Sequence, residues 1–275
     1  MKRVIACLAL MVVASCENGA PVRATQHPSP STVITGEWQD FPTDRSPRPI
    51  VFFYGTPTNL ARPADWPSFQ CGKFVAAASL PDGSPGMAYA TWSDHDEGFP
   101  AISATDALAA MSRLAPKAGS ADCTSVMATT ALSAQFGYGT FETDRGGAWM
   151  SAWLFQIAGS RSIVAFPALP YAAFWKGGVT PKSPNGTAFI DASGRQLTVQ
   201  LCGGSHAATV AESGTVVQVS LAGQSQATTG CADVPYSSTY SRPITVTLDR
   251  PLGGRVVVDS NGFAMEVCST VKGCD

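Results

Sequence analysis

The densest group of side chains that could do chemistry is the run Asp-His-Asp-Glu at residues 94–97. Clustered carboxylates and an imidazole could hold a divalent cation or supply an acid and a base. The spacing of the two aspartates begins like a calcium-binding loop, but Phe99 and Thr105 stand where that loop needs its turn glycine and its closing glutamate. The pattern therefore favours a solvated acidic loop, and we predict no metal and no other cofactor.

A serine activated by a histidine is the second possible chemistry. Ser205 and His206 are adjacent, but neighbouring residues of a strand point to opposite faces of the sheet and cannot pair. The segment 223–227 lacks the final glycine of a nucleophile elbow. We predict no catalytic residue, and keep as the alternative an extracytoplasmic hydrolase whose site the sequence does not reveal. Polar groups converging on His95 or His206 would favour that alternative.

Aromatic side chains are concentrated at Tyr171, Phe174 and Trp175, with Trp149 and Trp153 before them. Exposed together, Tyr171, Phe174 and Trp175 would form a possible ligand surface for glycan or cell-wall rings. Buried, they would contribute core or interdomain packing, which is the commoner use of large aromatic side chains.

Eight cysteines occur in the chain, and six of them follow the N-terminal segment. They are Cys71, Cys123, Cys202, Cys231, Cys268 and Cys274. An even number in an exported protein predicts disulfides, and we predict the pairs Cys71–Cys123, Cys202–Cys231 and Cys268–Cys274, which keep each link within one domain. A zinc site is the alternative, but no two of them have the spacing of a zinc knuckle and the chain has only 3 histidines.

The N-terminus carries a charged start, Met1–Arg3, followed by apolar residues from Val4 to Val13 and then small residues. This order is typical of a secretory signal peptide, and the apolar run is too short for a permanent membrane span. Residues 13–16, Val-Ala-Ser-Cys, resemble the lipobox of bacterial lipoproteins, which implies removal of residues 1–15 and lipidation of Cys16. The alternative is an ordinary secretory signal with an incidental cysteine. We expect a lipid anchor on the outer face of the cell membrane.

The amino-acid composition limits the classes of partner that this protein can bind. Charged residues make up 14% of the chain against about 25% in typical soluble domains, and the net charge is -2. Because there is no basic stripe, nucleic acid is excluded as a partner. The partners that we expect are the membrane, through the lipid anchor, and a protein or glycan of the cell envelope.

We predict a flexible tether at 16–47, followed by two domains whose helices and strands position these groups. Residues 48–179 predict an α+β domain, mainly antiparallel strands with one helix at 104–114 that Ser103 caps. A link at 180–186 precedes an immunoglobulin-like β-sandwich at 187–275, predicted from seven short strands separated by turns.

Several stretches resemble a group of uncharacterised secreted proteins and lipoproteins of actinobacteria. They are Phe41–Val51 (FPTDRSPRPIV), Ile102–Leu108 (ISATDAL), Phe141–Gly146 (FETDRG), Ala152–Phe155 (AWLF), Gly194–Val199 (GRQLTV) and Thr245–Arg255 (TVTLDRPLGGR). The resemblance implies secretion and a shared architecture but no activity. We therefore expect a non-enzymatic binding or scaffolding lipoprotein of the cell envelope, with a hydrolase or a glycan-binding module as alternatives.

Overall fold

The computed structural model describes residues 36, 38–53, 68, 71–114, 123–159, 163–180, 182–200, 207–222, 243–270 and 274. These residues form two mixed β-sheets and one α-helix, so the predicted α+β class with a predominance of strand is confirmed. Within the described ranges, no helix is long and apolar enough to cross a membrane.

The first sheet has eight strands in the order β4-β3-β6-β5-β1-β8, with β2 paired to β5 and β7 paired to β6. Its strands are β1 (Ile50–Phe53), β2 (Phe74–Ala76), β3 (Met87–Thr91), β4 (Asp96–Pro100), β5 (Thr129–Thr143), β6 (Gly146–Ile157), β7 (Ile163–Pro167) and β8 (Phe174–Thr180). The pairs β1–β8 and β2–β5 are parallel, and the other pairs are antiparallel. The long β5–β6 hairpin forms the middle of this sheet.

The helix α1 spans Ala104–Leu114, as the sequence predicts. The Ser103 hydroxyl accepts a hydrogen bond from the Asp106 backbone N–H at 3.1 Å and donates one to its carboxylate at 2.8 Å, so the expected cap is present. Ala104, Ala107 and Met111 are buried at helical spacing, which fixes the face that packs on the core of the first sheet.

The second sheet has seven strands in the order β11-β12-β14-β15-β9-β10-β13. They are β9 (Lys182–Ile190), β10 (Gln196–Val199), β11 (Ala207–Glu212), β12 (Val216–Ala222), β13 (Ile244–Thr247), β14 (Val256–Asp259) and β15 (Ala264–Ser269). Strands β11 and β13, at opposite ends of the order, approach each other, so the sheet curls on itself.

The predicted immunoglobulin-like sandwich is not confirmed. Such a sandwich packs two antiparallel sheets, whereas β9–β15 form one continuous sheet in which the pairs β12–β14 and β15–β9 are parallel. The seven strands themselves lie close to where the sequence predicts them. The pattern of residues predicts where the strands lie along the chain, but it does not predict which strands pair with each other.

The predicted link at 180–186 is also different in the structure. Thr180 ends β8 and Lys182 begins β9, so residues on both sides of position 181 belong to strands. Proline and glycine in this stretch suggested a loop, but β9 tolerates them because its pairing with β15 is irregular near its start. The division into two domains stays a prediction.

An apolar cluster joins the two sheets. Val51 and Phe53 of the first sheet pack with Val216, Val256 and Val258 of the second sheet. Trp38 and Phe41 belong to the same cluster although the sequence places them late in the tether, and both are buried. The Trp38 indole N–H donates to the Gly262 carbonyl at 2.9 Å, which fixes this part of the chain on the second sheet.

Two of the three predicted disulfides are present, Cys71–Cys123 and Cys268–Cys274, with Cα atoms 5.5 and 4.8 Å apart. Cys202 and Cys231 lie outside the described residues, as does Cys16. Glu266, Cys268 and Cys274 are the one group in the described ranges with metal-ligand spacing, but both of its cysteines are in a disulfide.

Lys182 links the two sheets and gives a pH-dependent prediction. Its Nζ contacts Glu266 at 2.8 Å and Glu142, on β5, at 3.2 Å. Burial lowers the pKa of Lys182, but the hydrogen bond and charge of Glu266, with Glu142, outweigh burial and raise it above 10.5. A raised pKa in the folded state means that this stabilisation is complete below pH 10.5 and is lost as the pH rises through the folded-state pKa.

We expect Lys182→Met to lower the free energy of unfolding by about 3 kcal/mol at pH 7, because Glu266 is left buried without its cation. Urea denaturation of both proteins across pH measures this, and the difference between them should narrow at alkaline pH. Glu142→Gln is the control, since half of that side chain is exposed and its ion pair is worth little. A difference that widens at alkaline pH would contradict this account.

Candidate functional site

A pocket of about 330 Å³ lies where the two sheets meet. The first sheet contributes the turn at 93–95 and the β5–β6 turn, and the second contributes residues near 190, 252–255 and 267–269. The charged or titratable side chains in its lining are Arg48, Asp94, His95, Asp144, Arg145 and Arg255. These side chains come from four separate segments of the chain, so the sequence alone does not show that they come together.

Arg48 and Asp144 form an ion pair in the lining of the pocket. Arg48 Nη2 lies 2.6 Å from Asp144 Oδ2, and its Nε donates to the Gly254 carbonyl at 2.7 Å. The other carboxylate oxygen of Asp144 accepts from the Val51 backbone N–H at 3.2 Å. The side chain of Asp144 is only 2% exposed, so its charge depends on Arg48 for compensation.

Arg145, next to Asp144 in the chain, is a second arginine of the lining. Its guanidinium donates to both carboxylate oxygens of Glu97, at 2.8 and 3.3 Å, and lies over the Trp92 ring, 3.8 Å from its centroid. This bidentate and cation–π arrangement holds the guanidinium in one orientation. Glu97 is largely buried, so the predicted solvated acidic loop is correct for Asp94 and wrong for Glu97.

His95 stacks on Trp92 with ring centroids 5.0 Å apart, and both of its nitrogens have partners. Arg145 Nη1 lies 3.2 Å from His95 Nε2, and Asp94 Oδ1 lies 2.6 Å from Nδ1. Because a guanidinium can only donate, Nε2 accepts, and the proton on Nδ1 is donated to Asp94. Polar groups thus converge on His95, as the hydrolase alternative requires, but in this arrangement Nε2 offers no lone pair to a serine hydroxyl.

The predicted aromatic surface does not form. Phe174 is 4% exposed and belongs to the core of the first sheet. Trp175 packs edge-on against Phe41 at 4.9 Å between centroids, in the cluster that joins the sheets. Only Tyr171 is exposed, at 54%. The expectation of a joint ligand surface is therefore wrong, because the chain enters β8 with Phe174 facing the core.

A different set of aromatic residues is exposed together on the first sheet. Tyr89, Tyr138 and Trp149, which we call the aromatic face, are 46%, 51% and 53% exposed. They lie on β3, β5 and β6, which are neighbours in the order β3-β6-β5. Trp149 belongs to the aromatic concentration that the sequence shows, but apolar residues on both faces of its strand are typical of a fully buried strand. Tyr89 and Tyr138 lie outside that concentration.

Strand register places the three rings on one side of the sheet. Thr91 is opposite Trp149 and Ser151 is opposite Tyr138, so alternate residues carry Tyr89 to the same side. The rings of Tyr138 and Trp149 are 6.0 Å apart and within 9° of parallel.

Ser151 lies between the three rings and is almost fully buried. Its hydroxyl accepts the Tyr89 backbone N–H at 3.0 Å. Three strands at about 4.8 Å spacing give the aromatic face a width of about 10 Å. The aromatic face therefore consists of the stacked pair Tyr138 and Trp149 with Tyr89 on the neighbouring strand.

Comparison with protein-family models, with curated proteins and with solved structures finds no match for this chain. The resemblance to actinobacterial lipoproteins therefore stays a prediction. The lipidation of Cys16 also stays a prediction. Ser205 and His206 lie outside the described residues, so the prediction that they do not form a catalytic pair stays a prediction as well.

Proposed function

We propose that this protein is a non-enzymatic, lipid-anchored binding protein of the cell envelope, and that its aromatic face holds a neutral glycan chain. The observation that carries the proposal is the joint exposure of Tyr89, Tyr138 and Trp149 on three adjacent strands. The proposal keeps the glycan-binding function expected as an alternative from the sequence and moves it to other residues.

Exposed aromatic rings need an explanation when they are contiguous, since burial of each would contribute to stability. Pyranose rings present a face of C–H groups that packs on an aromatic ring, while their hydroxyls remain hydrogen-bonded to water or to neighbouring side chains. Thr91 and Thr140 lie opposite Trp149 on the two flanking strands and can supply such hydrogen bonds. The absence of charge on the three rings suits a neutral ligand better than an ionic one.

Replacing the rings tests the proposal directly. We expect Trp149→Ala and Tyr138→Ala each to weaken binding of a β-1,4-linked N-acetylglucosamine hexasaccharide by about thirtyfold, because a central aromatic contact typically contributes about 2 kcal/mol. Isothermal titration calorimetry of the full chain measures the dissociation constants. Tyr171→Ala removes an equally exposed aromatic residue from a different segment and should leave the affinity unchanged.

Two results would contradict glycan binding at this face. The first is equal affinity of all three variants and the wild type. The second is no binding of the oligosaccharide together with self-association of the wild type that Trp149→Ala abolishes, which would assign the face to a protein contact.

The anchor is the second part of the proposal. Cys16 follows directly on the apolar run and its small residues, and the segment after it is rich in Pro, Ser and Thr. Cys16→Ala is expected to move the protein from the detergent phase to the aqueous phase in phase-partitioning experiments, since the lipid provides the membrane affinity. Cys7→Ala, within the same leader, is the control. Identical partitioning of wild type and Cys16→Ala would exclude this cysteine as the anchor.

A further inference from the structure

We propose that the pocket between the two sheets is a separate binding site for a small carboxylate with a branched aliphatic body. This site is distinct from the aromatic face and does not depend on the glycan proposal. Its volume of about 330 Å³ is at the lower end of the range for ligand cavities, which suits a small molecule.

The charges in the lining favour an anion. Three arginines and two aspartates line the pocket, which leaves one positive charge in excess when His95 is neutral. The acids that pair with Arg145 and Arg255, namely Glu97 and Glu212, do not line it. A ligand therefore meets guanidinium groups whose partner carboxylates lie outside the lining.

The two aspartates in the lining do not make it a cation site. Both carboxylate oxygens of Asp144 are engaged, by Arg48 and by the Val51 backbone N–H. Asp94 Oδ1 lies against His95 Nδ1 at 2.6 Å. A cation would have to displace these partners, whereas an anion meets donors that are already oriented.

The guanidinium groups retain unused donors. Arg48 Nη1 and Arg145 Nε are buried and have no hydrogen-bond acceptor among the described residues. A buried donor without an acceptor is costly, so a ligand oxygen that reached one of them would gain a charge-assisted hydrogen bond. Arg48 and Arg145 both line the pocket, so both guanidinium groups border the space that a carboxylate would enter.

The rest of the lining selects the body of the ligand. Ile190, Leu252 and Val267 come from the second sheet and its turns and give the pocket an aliphatic side. Cys274, in its disulfide with Cys268, continues this side. A lining that combines arginines with aliphatic side chains fits a short branched-chain carboxylate better than a sugar or an inorganic anion.

The test compares two probes that differ only in charge. NMR titration of the full chain with 4-methylpentanoate and with 4-methylpentanamide should give saturable binding of the acid and about tenfold weaker binding of the amide, as expected for loss of a charged hydrogen bond. The double variant Glu97→Gln/Arg145→Gln removes the guanidinium without leaving a buried charge, and it should reduce the affinity for the acid to that for the amide. Arg113→Gln, on the exposed end of α1, is the matched control and should bind as the wild type does.

Equal affinity for acid and amide would overturn the proposal, and so would unchanged binding by the Glu97→Gln/Arg145→Gln variant. Absence of saturation at about 20 mM acid would also overturn it, because a ligand of 1 mM affinity is nearly saturated there. Trp149→Ala should leave carboxylate binding unchanged. The titrations therefore distinguish a wrong proposal for the pocket from a wrong proposal for the aromatic face.

Discussion

Arg48→Met is expected to lower the free energy of unfolding by about 4 kcal/mol, the cost of leaving a buried charge without its partner. The substitution strands the Asp144 carboxylate, whose side chain is 2% exposed. It also removes the Nε hydrogen bond to the Gly254 carbonyl, which ties this segment to the second sheet. Urea denaturation followed by tryptophan fluorescence measures the loss.

Asp144 explains why the effect should be large. Its backbone N–H donates to Val51 of β1 at 3.1 Å, and its carbonyl accepts from Val267 of β15 at 3.0 Å, so both sheets meet at this residue. Adding Asp144→Asn to Arg48→Met should restore part of the stability, because the amide carries no charge. Arg45→Met, at an exposed position three residues earlier, should change stability by no more than about 0.5 kcal/mol. If Arg48→Met lowers the free energy of unfolding by no more than Arg45→Met does, the Arg48–Asp144 pair does not stabilise the contact between the two sheets.

The double variant Cys71→Ser/Cys123→Ser is expected to lower the free energy of unfolding by a similar amount, about 4 kcal/mol. The bond closes a loop with a sequence separation of 52, and its loss increases the conformational entropy of the unfolded chain. It also frees the segment before β2, whose partner β5 forms the central hairpin.

Cys268→Ser/Cys274→Ser is the matched comparison. That loop has a sequence separation of 6, so the entropic effect should be smaller, about 2 kcal/mol. Thermal and urea denaturation of both double variants, side by side, rank the two bonds. A larger loss from the short loop would mean that contacts of Cys274, such as its carbonyl with the Gly147 N–H, dominate over chain entropy.

Local pattern predicts the elements well in this protein. Ser103 and Asp106 mark the start of α1, and alternating residues between turn glycines mark the seven strands of the second sheet. Pairing of strands is different, because it depends on contacts between distant segments. The parallel pairs β12–β14 and β15–β9 leave no local signal, and this is where the predicted sandwich differs from the observed sheet.

The difference between local pattern and long-range pairing also explains why the sequence predicts the wrong set of exposed aromatic residues. Phe174 and Trp175 are close in sequence to Tyr171 but enter the core, whereas Tyr138 and Trp149 become neighbours only through the register of the β5–β6 hairpin. Apolar residues on both faces of β6 suggested complete burial. That holds for Trp153 and Phe155 and fails at Trp149, near the turn.

The pocket could not be predicted either, since its charged residues belong to four segments that come together only where the two sheets meet. Residues 94–97 stand out in the sequence as a candidate site. Their main partner, Arg145, carries no local sign of such a role, because its contact with Glu97 forms only in the folded chain. Ion pairs across a fold depend on tertiary structure and not on spacing in the chain.

The most direct test of the glycan-binding account is hydroxyl-radical footprinting of the full chain with and without the N-acetylglucosamine hexasaccharide. Mass spectrometry reports oxidation at each aromatic residue, and exposure makes Tyr89, Tyr138, Trp149 and Tyr171 comparable reporters. We predict that oligosaccharide protects the three residues of the aromatic face and leaves Tyr171 unchanged. Unchanged oxidation at all four residues, or protection of Tyr171 alone, would contradict the account.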